Sequence, residues 1–581
     1  MKHIFLTVSG FAALMVLGSC GEDFLYKEQQ GSLSVDQLDN AQGVELWVAN
    51  AYANLTEADW GASIFNWALS GMYGGDANKG SDPGDQSVLN EMEMYNTMST
   101  NGYLNEKWKW TYKGSKRVAL ALQAVNKATD MDASIKNTRM GELYYLRAMF
   151  YFESVRVFGP YIPYLDETIT ENDPKVYNDK DIYPNIIADI DKAIANLPET
   201  QPEPGRVNVW AAKALKAKIL MQKGDLAAAK PILADVLANG VTSFGKKYAL
   251  AEDVTTNWDS FRDNTSPESI WEIQFSVEVN NNGNIGMSLC YPHNSGPGGC
   301  CGFYQPSFEL VNSFQVDENG LPYLNAEYRT KLSVSEKGGE GDAFTINNNG
   351  IPVDPRLDFA VGRYEIPYKD YGLPATDWIR NPVNGGIFLP KKHVYSKAEA
   401  DASLGKASYS AGWAPGSAMN IQYLSVRDAM LLYAECLAND GELTTAMGLV
   451  NAIRTRAALD VNIVKKPDGT PAANYKIGNY PSSHLAFTDK ATCIKAIRIE
   501  RKLELAMEGQ RFFDLSRWGG DYMAAELTAY VDYEKYYIPK FMAATHLPAT
   551  RTMFPIPDSQ VQTMGNDENG KPYLVQPDPW K

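Results

Sequence analysis

The most densely charged segment lies near the C-terminus and contains groups that could transfer protons. Glu500, Glu504 and Glu508 follow one another at intervals of four, so in a helix they would stack on one face. Two carboxylates held ~5–9 Å apart are what glycoside hydrolysis requires. Arginines such as Arg501 and Arg511 alternate with these acids, and alternating charges form ion-pair networks far more often than active sites. The sequence also contains no G-x-S-x-G or H-E-x-x-H motif, so we predict a structural segment and no enzyme activity.

Aromatic and polar residues occur together in three irregular segments, a combination that suits ligand binding. The first segment supplies Asp59, Trp60 and Trp67, followed by Asp76 and Asn78 in a polar, glycine-rich stretch. An aromatic ring can stack on the apolar C–H face of a sugar, and the burial is worth ~25 cal/mol per Å². The sugar hydroxyls then need fixed donors and acceptors. Two alternatives stay open here: Trp67 belongs to the core, and Asp76 only caps a turn or binds an ion.

The second and third segments lie in the middle of the chain. Their candidate ligand contacts are Cys300, Cys301 and Tyr304 in the second segment, and Arg380, Tyr409 and Trp413 in the third. Consecutive Cα atoms are ~3.8 Å apart, so a disulfide between adjacent cysteines would be strained, yet such a ring is a flat, apolar plate. The alternatives are that both cysteines are reduced and that the aromatic residues anchor their loop. No C-x-x-C pair is present, so we predict no metal site.

The bulk composition limits the kinds of partner that the chain can have. The 581 residues carry a net charge of −16, with a pI near 5.0. Nucleic-acid binding requires a basic face, so we expect no nucleic-acid partner. The 33 Tyr, 12 Trp and 21 Phe residues supply rigid contact surface, but most must be core in a chain of 64.3 kDa.

The first twenty residues predict export. Lys2 and His3 form a short basic start, an apolar stretch follows to Leu17, and Cys20 comes directly after small residues. The apolar stretch is shorter than the ~20 residues of a membrane span. A cysteine at this place is typical of bacterial lipoproteins, in which it is acylated after cleavage. We predict a signal peptide at 1–19 and a lipidated N-terminus with a linker at 20–35.

Helical patterns occupy both ends of the remaining chain, with an irregular region between them. Two helix–turn–helix patterns turn at Gly224 and Gly441, and small residues with a Gly-acid turn are typical of tetratricopeptide-type hairpins. The middle region is rich in Gly, Asn and Pro, with short alternating runs that indicate strands. The predicted organisation is one domain over 36–581, with a helical scaffold at about 36–240 and 421–581 and a loop-rich insertion at about 245–420.

Six motifs in order along the chain carry a family resemblance. They are Cys20 after the signal; Glu142–Ala148 with Phe158–Pro163; Val353–Leu357; Arg427–Ala434 with Asn451–Ala457; Glu500–Arg511 with Asp514–Gly519; and Pro555–Pro557 before Pro579 and Trp580. With these motifs the sequence resembles the SusD/RagB family of Bacteroidetes nutrient-binding lipoproteins over nearly the whole mature chain. It departs from the family pattern at Pro160 and Met507, where Gly and Phe are usual.

The resemblance implies a mainly α, SusD-like fold of tetratricopeptide-like helical hairpins with a long irregular, partly β insertion. It implies binding of an oligo- or polysaccharide without catalysis, and delivery to a partner SusC-like TonB-dependent outer-membrane transporter. The protein would sit at the cell surface, anchored in outer-membrane lipid through Cys20, with no cofactor; a structural calcium ion stays open. The alternatives are peptide or other nutrient binding within the family, a secreted glycoside hydrolase, and a helical scaffold that binds only protein.

Overall fold

The computed structural model describes residues 38–169, 174–278, 281–334, 350–410 and 412–581. The predicted signal peptide, Cys20 and the predicted linker lie outside these residues. Helices dominate the described part of the chain and the strands are short, so the prediction of a mainly α fold is confirmed. None of the helices in that part is both long and apolar enough to cross a membrane.

The described residues form α-helices and short β-strands in the following order. The helices are α1 Ala41–Thr56, α2 Val88–Glu93, α3 Gly102–Lys127, α4 Ala133–Phe158, α5 Tyr183–Asn196, α6 Val209–Lys223, α7 Leu226–Asn239, α8 Phe308–Ser313, α9 Arg356–Ala360, α10 Pro382–Gly385, α11 Lys397–Asp401, α12 Val426–Asn439, α13 Leu443–Ala457, α14 Lys490–Glu504, α15 Arg511–Arg517, α16 Gly520–Tyr537 and α17 Asp558–Met564. The strands are β1 Ala77–Gly80, β2 Ser269–Ile273, β3 Phe303–Pro306, β4 Val361–Gly362, β5 Leu389–Pro390, β6 Gly405–Ser410, β7 Ala414–Ser417 and β8 Ile421–Ser425.

Both predicted hairpins are present, as α6–α7 and α12–α13. Gly224 and Gly441 adopt φ values of +88° and +85°, a left-handed conformation that L side chains rarely take, and this lets each chain reverse in two or three residues. The hairpins are far apart in sequence but adjoin in space, because α7 and α12 pack together. A buried ion pair of 2.8 Å between Lys218 and Asp428 also joins them.

The N-terminal helices extend this scaffold. Helix α3 packs on α1 and on α4, and α5 lies between α4 and α6. Helix α4 lies within the predicted helical scaffold, and its residues from Gly141 to Phe158 are all buried. A helix that is buried all round must have neighbours on every side, so α4 is a central element of the core.

The segment of alternating charges lies in the interior. Glu500 has no exposed surface, and its carboxylate receives Arg356 at 2.5 Å and Arg454 at 3.1 Å. Glu504 pairs with Arg356 at 3.0 Å and also with Arg456. A buried carboxylate needs such partners because an unpaired charge in the interior is very costly. The prediction that this segment is structural is confirmed.

The strands form short pairs, two of them within the predicted insertion at about 245–420 and two that join it to the residues outside. Each pairs with one other strand, antiparallel, as β1–β3, β2–β8, β4–β5 and β6–β7. The β2–β8 pair sets the start of the insertion beside its end, with Ile273 opposite Ile421. The β6–β7 pair is a hairpin that carries Tyr409 and, in its turn, Trp413.

Candidate functional site

The β1–β3 pair brings the first and second predicted segments together. Its register places Ala77 opposite Pro306 and Gly80 opposite Phe303. The backbone N–H of Ser81 continues the ladder by donating to Gly302 O at 2.7 Å. The glycine-rich stretch after Trp67 therefore runs directly beside the residues that follow the two adjacent cysteines.

Arg380, from the third segment, ties its own loop to the first segment. Its guanidinium pairs with Asp82 at 2.8 Å and with Asp85 at 2.6 Å, and it donates to Ser81 Oγ at 3.0 Å. The Arg380 side chain is 33% exposed, so a ligand in solvent can reach part of it. Two carboxylates fix the direction of the guanidinium fork, which keeps its remaining N–H groups in a defined place.

The structure joins Cys300 and Cys301 in a disulfide, with a cis peptide bond between them. Cys300 is half-buried and Cys301 is buried. The backbone N–H of Cys301 donates to Leu289 O at 3.2 Å, which fixes the ring against the chain that precedes it. We call Cys300, Cys301 and Arg380 the disulfide patch; a Cβ placed on Gly302 would lie 3.5 Å from Arg380 Cβ, so its members are close neighbours.

A second feature brings together two predicted residues that are far apart in the sequence. The ring centroids of Trp60 and Trp413 are 6.1 Å apart, and the ring planes are inclined by 60°. Trp413 is 45% exposed and Trp60 is half-buried. The indole N–H of Trp60 donates to Ser288 Oγ at 2.9 Å, and Asp59, which is exposed, accepts from the backbone N–H of Trp60. We call Trp60 and Trp413 the tryptophan pair.

The tryptophan pair and the disulfide patch lie beside the same short segment. Ser288, which holds Trp60, and Leu289, which holds Cys301, are consecutive residues. We call the tryptophan pair and the disulfide patch together the candidate surface.

Four predicted residues lie in the interior instead. Trp67 is within a π-helical turn, Trp67–Met72, and packs edge-on against Tyr304; neither side chain has exposed surface. Asp76 is 2% exposed and Asn78 is fully buried. A ligand that stays in solvent cannot reach these side chains in this structure. Their prediction as direct contacts needs correction, and the open alternative that Trp67 belongs to the core is the one that the structure shows.

The two buried polar residues support the site from within. Asn78 donates to Glu534 at 3.1 Å and accepts from the Tyr530 hydroxyl at 2.8 Å, which fixes β1 to α16. Asp76 accepts from the backbone N–H of Met507 at 3.3 Å, and its other carboxylate oxygen has no partner among the described residues. Burial raises the pKa of Asp76 to about 7, although nearby cations oppose the shift.

Tyr409 is half-buried, and its contacts hold the β6–β7 hairpin in place. Its hydroxyl donates to the backbone carbonyl of Glu278 at 3.0 Å and to that of Asn281. A Cβ placed on Gly416 would come within 2.6 Å of its ring, so the backbone packs closely against it. These contacts match the alternative that Tyr409 anchors the loop, and they leave Trp413 as the exposed aromatic side chain of the β6–β7 hairpin.

Sequence reasoning missed two residues that help to build this surface. Ser288 orients Trp60 from 228 positions further along the chain, and a lone serine in an irregular segment gives no signal of that role. Asp377 holds the loop before the cysteines by accepting from Ser295 Oγ at 2.8 Å and from Asn294 at 2.7 Å. Asp377 follows Pro374 and Ala375 in a polar stretch, which could have predicted a turn. The sequence gives no signal that Asp377 would bind the loop at Ser295.

In the part of the chain that the structure describes, no three His, Cys, Asp or Glu side chains converge on a point where they could hold a metal ion. The segments 317–324 and 567–574 have the same sequence except at one position, and each uses its first aspartate in a turn. Asp317 accepts from the backbone N–H of Asn319 and Leu321, and Asp567 accepts from that of Asn569 and Lys571. These carboxylates already have local donors.

Comparisons with known proteins give consistent matches along the chain. A model described as the SusD family matches residues 267–569, and one described as starch-binding associating with outer membrane matches residues 24–221. The SusD-like protein P38 of Formosa agariphila is 25% identical over 526 residues, which cover 89% of this chain and 91% of that protein.

Solved structures show the same fold. A SusD superfamily protein from Bacteroides vulgatus superposes with a TM-score of 0.65 at 18% identity, covering 94% of this chain and all of the other. Surface glycan-binding protein A from Bacteroides thetaiotaomicron, solved in complex with laminarihexaose, has a TM-score of 0.61 at 18% identity. That match covers 92% of this chain and 99% of the other. The predicted helical, SusD-like architecture is confirmed.

Proposed function

The chain belongs to the SusD family, and from this premise we propose that it captures an oligo- or polysaccharide at the cell surface without cleaving it. The observation that carries the proposal is the tryptophan pair: two indole rings with centroids 6.1 Å apart, one of them 45% exposed. Exposed tryptophan beside polar groups is what a sugar ring needs for stacking. The protein solved with laminarihexaose supports the same ligand class.

The polar groups for the sugar hydroxyls come from the two neighbouring loops. Asp59 presents an exposed carboxylate next to Trp60, and Arg380 presents a partly exposed guanidinium next to Cys300. For a sugar stacked on the tryptophan pair, we propose the Asp59 carboxylate as an acceptor and the Arg380 guanidinium as a donor for its hydroxyls. The partly exposed Cys300 ring edge adds an apolar contact. We propose Asp59, Trp60, Trp413, Cys300 and Arg380 as the ligand contacts.

We further propose that Cys20 anchors the protein in outer-membrane lipid and that a SusC-like TonB-dependent transporter receives the glycan. The small residues before Cys20 support the anchor, and the match to a model described as associating with outer membrane agrees with that location. A multiply acylated cysteine is a durable anchor, because each buried methylene contributes ~0.8 kcal/mol.

The primary test is calorimetry of the chain from Gly21 onwards against a panel of polysaccharides that includes laminarihexaose. We expect binding to one polymer class and no release of reducing ends. Released reducing ends would favour a hydrolase. Binding of peptides alone would mean that this member of the family takes up peptides and not glycans.

The location and the partner need separate experiments. In the native host, Cys20→Ser should move the protein out of the outer-membrane fraction while wild type stays in it. Mild detergent extraction of the wild-type membrane should co-purify a TonB-dependent barrel. A Cys20→Ser protein that still fractionates with the outer membrane contradicts the anchor, and a wild-type extract without a barrel contradicts the partner.

A further inference from the structure

A pocket of 180 Å³ lies between α14, α16 and the loop that precedes residue 330. It shares none of its lining residues with the tryptophan pair or the disulfide patch. Its lining is rich in cations: Arg329, Lys495, Arg498, Lys502 and Arg511. Glu526 is the acidic side chain among the lining residues. Such a concentration of one charge needs an explanation, because like charges repel one another most strongly where water is scarce.

Carboxylates neutralise only part of this charge. Glu309 lies beneath the pocket and pairs with Lys502 at 2.5 Å and with Arg329 at 2.8 Å. Glu526 lies 3.5 Å from Arg511 and 3.7 Å from Arg329. The carboxyl group of Asp76 also lies near Arg511 and Lys502, so three acidic groups against five cationic side chains leave an excess of at least two positive charges around the cavity.

Several donors in the pocket have no acceptor in the described part of the chain. The Nε atoms of Arg329 and Arg498 are buried without a hydrogen-bond partner there. The guanidinium of Arg498 lies over Tyr522, 4.2 Å from the ring centroid, and no carboxylate of the described residues forms an ion pair with it. Stacking fixes the plane of the guanidinium, the Tyr522 hydroxyl accepts from one of its N–H groups, and the others have no carboxylate partner among the described residues. Buried donors without acceptors are rare in native proteins, so these two Nε–H groups are available to an acceptor that enters the pocket.

We propose that this pocket binds an oxyanion, such as a sulfate, phosphate or carboxylate group. Arginine forms paired, charge-assisted hydrogen bonds with planar or tetrahedral oxyanions. A volume of 180 Å³ is below the ~300–1,000 Å³ of pockets for larger ligands, so it suits one charged group or one acidic sugar unit rather than a glycan chain. The inference does not depend on the proposed glycan site.

The test titrates the chain from Gly21 onwards with inorganic sulfate and, separately, with glucuronate, by calorimetry. Sodium chloride at matched ionic strength is the reference, because sulfate also stabilises proteins without a site. We expect Arg498→Gln and Lys495→Gln each to weaken the binding of the anion about tenfold, the loss of one charge-assisted hydrogen bond. If sulfate binds and glucuronate does not, the natural ligand is a free inorganic anion. If glucuronate binds, the natural ligand is an acidic sugar.

Arg551→Gln is the matched control, because Arg551 also lies over an aromatic ring, 4.1 Å from the Trp580 ring centroid, but is not among the residues that line the pocket. It should bind the anion as wild type does. Lys495 is exposed, so its variant should fold even if Arg498→Gln does not. Absence of binding in wild type, or equal affinity in the control and in Lys495→Gln, would overturn the proposal.

Discussion

Trp413→Ala should weaken glycan binding more than any other single change in the exposed aromatic residues. Trp413 is 45% exposed, and a tryptophan can bury up to ~250 Å², so about 110 Å² is available to a ligand. A sugar that covers half of that area gains ~1.4 kcal/mol at ~25 cal/mol per Å², which is about tenfold in Kd. Complete coverage gives about a hundredfold, and we expect the measured loss to lie between these two values.

The contact between the rings makes a sharper prediction through a double-mutant cycle. Because the Trp60 and Trp413 ring centroids are 6.1 Å apart, either substitution removes the ring contact as well as its own stacking surface. The losses should therefore not add, with a coupling of roughly 0.5–1.5 kcal/mol. Additive losses would mean that the two rings act at separate places on the ligand.

Calorimetry against the polymer identified in the panel is the assay, with the melting temperature of each variant as the check on folding. Tyr536→Ala is the control, because Tyr536 is 83% exposed but belongs to α16, outside the candidate surface. It should bind as wild type does. If Trp413→Ala keeps the affinity of wild type while it remains folded, the tryptophan pair is not the binding platform and the reasoning fails.

Three further predictions concern the interior. Arg454→Met should lower the free energy of unfolding by ~3–5 kcal/mol in urea titrations, because it removes a fully buried charge that pairs at 3.1 Å with a buried glutamate. Asp76→Asn should flatten the pH dependence of stability. In wild type the folded pKa is about 7 against an ordinary 3.8, so the free energy of unfolding should fall as the pH rises between these values, by up to ~4 kcal/mol. Mass spectrometry of the denatured, alkylated chain from Gly21 should find three modified thiols before reduction and five after it, since Cys300 and Cys301 are bridged.

Each of these predictions has a result that would contradict it. Asp460→Asn breaks an exposed ion pair and should lower the free energy of unfolding by ~1 kcal/mol or less. An equally small loss in Arg454→Met would mean that burial of the ion pair does not matter. A pH profile of Asp76→Asn that falls as in wild type would show that another group titrates. Five modified thiols before reduction would show that Cys300 and Cys301 are free.

The helical scaffold was predictable because its signals are local. Apolar spacing, small residues and a glycine at each turn predicted the hairpins, and the structure has them at Val209–Asn239 and Val426–Ala457. The ion-pair network of the charged segment followed from the alternation of sign, but its burial did not, because alternating charges also suit a solvated helix face. The direct contact of α7 with α12 did not follow, because the sequence pattern of one hairpin does not identify the neighbouring helices.

The candidate site was only partly predictable, because composition finds a loop but not the direction of its side chains. The sequence by itself determined the family and the helical fold. It also selected Trp60, Trp413 and Arg380 as candidate binding residues, since aromatic and polar side chains in irregular segments are conspicuous. Only the tertiary structure decided that Trp67 turns inward, because a π-helical turn and its packing against Tyr304 depend on residues far away in the chain. The same holds for the two rings of the tryptophan pair, which meet through long-range packing that leaves no local trace in either segment.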